Sequence, residues 1–220
     1  MSENHNPLPW LLTLKHGKAF YGPSKRAIDF FLAVLILLLT APLSFAVALG
    51  VGLSSRGGVL YRSQRVGRNG KPFTMLKFRS MYQGADSDYL LLRNLNPNHR
   101  NGPFFKDPLD PRVTPFGKII RRLSLDEIPQ LWNVLRGEMS LVGPRPAFDV
   151  EVEEMGAHGQ RRLAVLPGIT GLCQISGRSN LPYERCARLE EIYIERASVL
   201  LDTWVLGKTI VVALRKIGAH

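Results

Sequence analysis

The chain has 220 residues and a formal net charge of +11, from 29 Lys and Arg against 18 Asp and Glu. The excess is uneven: residues 1–80 hold 11 cations against 2 acids, whereas residues 81–220 hold 18 against 16. A basic excess gathered around an apolar run points to an anionic membrane surface and away from a nucleic-acid partner.

Residues 1–24 read as an N-terminal tail, 25–55 as a membrane helix, and 56–220 as one domain with its own core. From Phe30 to Leu53 no residue is charged. At about 1.5 Å per residue, a helix of that length just spans a bilayer. Two features argue for a re-entrant helix instead. Pro42 removes a backbone hydrogen bond and clashes with the carbonyl of Leu38, which predicts a kink there, with Thr40, Ser44 or water meeting the freed carbonyl. Both flanks are basic, with Lys15, Lys18, Lys25 and Arg26 before and Arg56, Arg62, Arg65 and Arg68 after. The positive-inside rule puts both in the cytoplasm. An ordinary span is one alternative. A leader cleaved at Ala46-Val47-Ala48 is another, although the arginines that follow resist export. Asp29 lies one helical turn from Lys25 and Arg26, and an acid this deep needs a cation beside it.

Residues 59–82 read as two strands around an Asn69-Gly70 turn. Residues 94–115 read as a long loop. Helices are predicted over Pro115 to Arg122 and Asp126 to Leu135, the second stopped by Gly137. A polar-rich helix covers 183–197. Residues 200–216 suit an amphipathic helix at the bilayer interface, or a terminal helix packed on the core. Cys173 and Cys186 have neither C-x-x-C nor metal spacing, so no zinc is expected, and they read as reduced thiols.

The chemistry concentrates at 121–146. Ser124-Leu125-Asp126-Glu127 has the form of a capping box, and Pro129 fits a first helical turn. The same acids, beside Arg121 and Arg122, can bind a magnesium ion and leave one oxygen as nucleophile. Arg145, between Pro144 and Pro146, is a rigidly held cation. Lys77 and Arg79 are further cations for a phosphate, or a basic face near lipid head groups. Pro167-Gly168-Ile169-Thr170-Gly171 and Gly177-Arg178 read as sites of close backbone approach to a ligand, or as plain turns.

Leu-Ser-Leu-Asp-Glu followed by Gly-Pro-Arg-Pro closely resembles the core of the bacterial sugar transferases, the monotopic phosphoglycosyl transferases. The resemblance runs from about Lys25 to the C-terminus. It implies an α+β cytoplasmic domain on the inner membrane, with a re-entrant helix opened by Lys25, Arg26 and Asp29 and broken at Pro42. It implies transfer of a sugar-1-phosphate from a UDP-sugar to a polyprenyl (undecaprenyl) phosphate, with release of UMP, at the first membrane step of a glycoconjugate pathway. Asp126 matches the family's nucleophile and Glu127 the second acid of the dyad. Both would hold Mg2+. Arg145, Lys77, Arg79, Arg178 and Arg122 are the candidate substrate-binding cations. The 94–115 loop looks more like the hexose-1-phosphate members. Two departures stand out: Ala41-Pro42 replaces the Ser-Pro of many relatives, and Cys173 replaces a Trp. A homo-oligomer is compatible with the sequence. The rival reading is a non-enzymatic, membrane-bound basic scaffold, which an intact acid pair argues against.

Overall fold

The computed structural model describes residues 18–54, 57–85, 100–101, 103–105, 110–177 and 181–214. The elements in chain order are α1 (Lys18–Ser54), β1 (Leu60–Val66), β2 (Pro72–Phe78), β3 (Arg100–Asn101), β4 (Phe104–Phe105), α2 (Pro115–Arg122), α3 (Gln130–Arg136), β5 (Ser140–Val142), α4 (Asp149–Glu154), α5 (Ala157–Arg162), β6 (Gly168–Thr170), α6 (Leu172–Ile175), α7 (Tyr183–Arg196) and α8 (Val199–Leu214). The predicted mixture of helix and sheet holds. Among the described residues the sheets are two-stranded: β1–β2 and β3–β4 antiparallel, β5–β6 parallel. Half of the predicted 94–115 loop lies outside the described residues, and the described part carries the β3–β4 pair.

The β1–β2 hairpin turns where the dipeptide predicts it. Asn69 and Gly70 have φ of 59° and 74°, the left-handed region that such a turn demands. The α2 helix starts at Thr114, whose hydroxyl accepts the amide of Gly117 at 2.8 Å. Helix 126–135 is split: a 3₁₀ turn covers Leu125–Glu127, and α3 begins only after Pro129. The predicted capping box is absent, because Ser124 adopts a left-handed conformation (φ 56°) and its side chain caps nothing. The chain reverses there after α2, and that reversal overrides the cap. Gly137 ends α3 as expected.

The α1 helix has 37 residues, about 55 Å of helix. It continues through Pro42 as one element. The Thr40 hydroxyl donates to the carbonyl of Ile36, not Leu38, and the buried Ser44 hydroxyl meets no partner. One face packs on the domain along its length. Ala33 joins the core of Leu131, Val134, Leu141, Val142, Leu201 and Val205. Fourteen residues and more further on, Val47 and Val51 join Phe78 and Ile120. The opposite face exposes Phe31, Leu35, Leu38, Leu39, Phe45, Leu49 and Leu53. Such a helix is long and apolar enough to enter a membrane.

The root of α1 is tied down by charge. Lys25 pairs with Asp202 of α8 at 2.7 Å and with Asp29 at 3.6 Å. The amide of Leu141 donates to Asp29 at 3.3 Å. Arg26 turns away from Asp29 and donates to the carbonyls of Val134 and Leu135, closing the C-terminus of α3. The α8 helix packs on the core through Leu201 and Val205, as one of its two readings expects, while Leu200, Ile210 and Val211 stay exposed.

One expectation is overturned. Cys173 of α6 and Cys186 of α7 form a disulfide, with no free cysteine left. Their Cα atoms are 5.0 Å apart, well within bonding reach. Thirteen residues of separation conceal this, because only the docking of α6 on α7 brings the sulfurs together.

Candidate active site

The acid pair sits where α2, the 3₁₀ turn and β2 meet. Asn133 of α3, fully buried, fixes that meeting. Its amide donates to the carbonyl of Thr74 at 2.8 Å, and its oxygen accepts the amide of Leu76 at 3.0 Å. Lys77 of β2 is thereby held over the acids, with its Nζ 3.1 Å from Glu127 and 4.0 Å from Asp126. Asp126 is only 7% exposed. Among the described residues no hydrogen bond reaches its carboxylate. Burial pushes the Asp126 carboxyl above its usual range, and Glu127 adds to the rise. Lys77, Arg121 and Arg145 pull it back. A helix dipole counts for little at Asp126, since a single 3₁₀ turn stands there in place of the predicted helix.

Arg145 faces the same place from a loop that cannot easily move. Pro144 and Pro146 are buried and Arg145 between them is exposed. The loop is gripped through its backbone. Gly168 donates to the carbonyl of Pro144 at 2.7 Å, and Val66 to that of Ala147 at 3.1 Å. A Cβ on Gly168 would lie 2.1 Å from the nitrogen of Gly143, and one on Gly171 would lie 2.3 Å from the oxygen of Gly143. The glycines of the 167–171 segment therefore admit the Gly143 backbone, where the sequence suggested a ligand. Arg65, Lys77, Glu127, Gln130, Arg145, Gly168 and Ile169 line a small pocket. A pocket lined by Arg65, Lys77 and Arg145, with Glu127 in its wall and the buried Asp126 adjacent in the chain, suits a polyanionic substrate.

The profile of the bacterial sugar transferase family matches residues 20–216 of this chain. The chain belongs to the bacterial sugar transferase family. The exopolysaccharide production protein ExoY of Sinorhizobium fredii is 40% identical over 193 residues, covering 86% of this chain and 84% of that protein. The undecaprenyl-phosphate galactose phosphotransferase of Salmonella typhimurium is 39% identical, covering 89% of this chain and 41% of the relative. The undecaprenyl-phosphate glucose phosphotransferase of Komagataeibacter xylinus is 43% identical, covering 84% and 35%. This sugar transferase thus spans most of ExoY but less than half of those two phosphotransferases.

The structure sorts the candidate cations of this transferase. Lys77 and Arg145 converge on the acids. Arg79 does not: its Nε donates to the carbonyl of Gly58 at 2.8 Å, in the segment after α1. Arg122 is exposed at the end of α2, and its neighbour Arg121 is the one whose charge acts on Asp126. Arg178 lies outside the described residues. Two polar lining residues escaped the sequence reading. Gln130 follows the acid pair by three positions. Arg65 stands 3.3 Å over the Phe148 ring and 3.8 Å from Glu151, a contact across 83 positions that no local pattern reveals.

Proposed function

We propose that this chain transfers a sugar-1-phosphate, glucose or galactose 1-phosphate being the favoured cargo, from a UDP-sugar to polyprenyl phosphate. The observation that carries the reading is the buried Asp126 carboxylate, unsatisfied by hydrogen bonds and ringed by Lys77, Arg121 and Arg145. An oxygen of Asp126 attacks the β-phosphorus. The bond from that phosphorus to the bridging oxygen breaks, and UMP leaves with the electron pair. Polyprenyl phosphate then attacks the phosphosugar-aspartyl intermediate, releases Asp126 as carboxylate and gives the polyprenyl diphosphosugar. Arg145 and Lys77 hold the diphosphate oxygens while charge shifts among them. Glu127 accepts a proton from the incoming lipid phosphate.

The donor set fits Mg2+. Asp126 and Glu127 are adjacent hard carboxylates, and among the described residues no cluster of three His, Cys, Asp or Glu accompanies them. Asp126 and Glu127 would hold the ion, with the remaining positions left to substrate phosphate oxygens and water. When bound, the ion offsets charge on the diphosphate and the departing UMP.

We also read α1 as re-entrant at the inner membrane, with the domain on the cytoplasmic face. Basic residues flank both ends, and both halves of α1 pack on the same domain. The buried Cys173–Cys186 bond is shielded from cytoplasmic reductants by the packing of α6 on α7. Asn6→Cys and Gly58→Cys should both stay unlabelled by an impermeant thiol reagent added outside intact cells. Labelling at Asn6→Cys alone would show an ordinary span.

UMP release over a panel of UDP-sugars tests the function. Without lipid, UMP should stop at one equivalent of enzyme; with undecaprenyl phosphate it should turn over. No UMP with any UDP-sugar would leave the scaffold reading standing.

A further inference from the structure

Behind the Arg145 loop lies a charged network that the reaction above does not use. Arg162, at the end of α5, is 4% exposed. One of its terminal nitrogens donates to the backbone carbonyl of Arg145 and to Glu190 Oε1, the latter at 3.1 Å. The other reaches the sulfur of Met155 at 3.3 Å. Glu190 of α7 is equally buried, and its second oxygen lies 3.1 Å from His158 Nε2.

Burying such a pair costs several kcal/mol per ion, and a well-packed apolar pair commonly does as well for stability. What the charges add is direction. Three carbonyls of the loop accept bonds from outside it. Those of Pro144 and Ala147 are met by backbone amides, and that of Arg145, among the described residues, by the Arg162 side chain. Pro144 and Pro146 bring no N–H of their own. A small pocket lined by Val66, Pro144, Arg145, Arg162, Leu163 and Pro167 lies on this side of the loop. The hydrogen bond adds a side-chain anchor to the backbone grip, at the residue whose guanidinium must be aimed.

We propose that Arg162, oriented by Glu190, is a positioning residue that fixes the Arg145 backbone so that the Arg145 guanidinium faces the pocket it shares with Lys77 and Glu127. The inference rests on Arg145 holding the substrate diphosphate.

The test uses the full chain in membrane-mimetic particles, with UMP release for kinetics and thermal unfolding for stability. Arg162→Lys keeps the charge against Glu190 but gives up the fork that also reaches the carbonyl. It should lose about tenfold in kcat/KM for the UDP-sugar, with the melting midpoint nearly unchanged. Glu190→Gln keeps an acceptor for Arg162 and weakens its hold, so a loss of about threefold is expected, and it serves should Arg162→Lys not fold. In an Arg145→Lys background both losses should vanish, because the residue being positioned is gone. Normal kinetics in both single variants beside an impaired Arg145→Lys would overturn the inference alone. So would losses that multiply in the double variants with a falling midpoint, the mark of a purely structural role. An Arg145→Lys enzyme at the normal rate would overturn both this inference and the diphosphate role of Arg145.

Discussion

Two clusters of buried acids and cations differ in how fully their bonding capacity is used. At the root of α1, Lys25 sits between Asp202 at 2.7 Å and Asp29 at 3.6 Å. The Tyr193 hydroxyl reaches Asp202 at 2.9 Å and the carbonyl of Val142 at 2.8 Å, and the Leu141 amide donates to Asp29. At the acid pair, Lys77 pairs with Glu127 and stands 4.0 Å from an Asp126 that accepts no hydrogen bond among the described residues. Buried polar groups are normally satisfied, and a filled network joins elements rigidly. The first cluster is a joint between helix and domain. The second leaves the Asp126 oxygens without a hydrogen-bond donor among the described residues, as the proposed role of nucleophile requires.

The comparison breaks most visibly on activity. Asp126→Asn should reduce turnover by more than about a thousandfold. Asp202→Asn, an identical change in the other cluster, should leave steady-state UMP release within about threefold of the parent.

Stability should answer in the opposite sense. Lys25→Met strands two buried acids, so denaturant unfolding should show a loss of about 3 kcal/mol. Lys77→Met should cost less, because its closer partner Glu127 keeps a side chain 26% exposed and Asp126 stands 4.0 Å away, while cutting kcat/KM about a hundredfold. Equal destabilisation by the two would erase the distinction drawn between the clusters.

Outside both clusters, Cys186→Ser should cost about 2 to 3 kcal/mol, since the disulfide closes a short loop in the unfolded chain. The smallest effect concerns pH. The folded Asp126 carboxyl titrates above its ordinary value of 3.8. Above pH 3.8 the unfolded chain gives up a proton that the folded one retains, so stability falls as pH rises through that window. Asp126→Asn removes the burden of ionising a buried acid. The variant should melt slightly higher than the parent at pH 7, and the advantage should shrink as pH approaches 3.8. A variant less stable at neutral pH would mean that Asp126 is a structural partner after all.

The sequence made short-range features legible. Asn69-Gly70, the Thr114-Pro115 helix start, the Gly137 stop and the 183–196 helix all depend on neighbours within a few positions. So did the acid pair and Arg145, which a contiguous motif displays. What it concealed was joined across the chain: Lys25 with Asp202, Arg65 with Phe148, Cys173 with Cys186, Arg162 with Arg145. The capping box at Ser124 failed for a related reason, since tertiary reversal of the chain after α2 set the backbone there. The glycines at 168 and 171 were legible as close-approach points, but not as points where backbone meets backbone.

The central claim is that Asp126 becomes covalently phosphorylated by the donor. Intact mass of the full chain, incubated with a reactive UDP-sugar and no lipid acceptor, tests it most directly. The account predicts a gain of one phosphosugar, located on the peptide carrying Asp126, absent from Asp126→Asn and discharged by undecaprenyl phosphate. An unmodified mass in a preparation that turns over, or an adduct on any other residue, would contradict it.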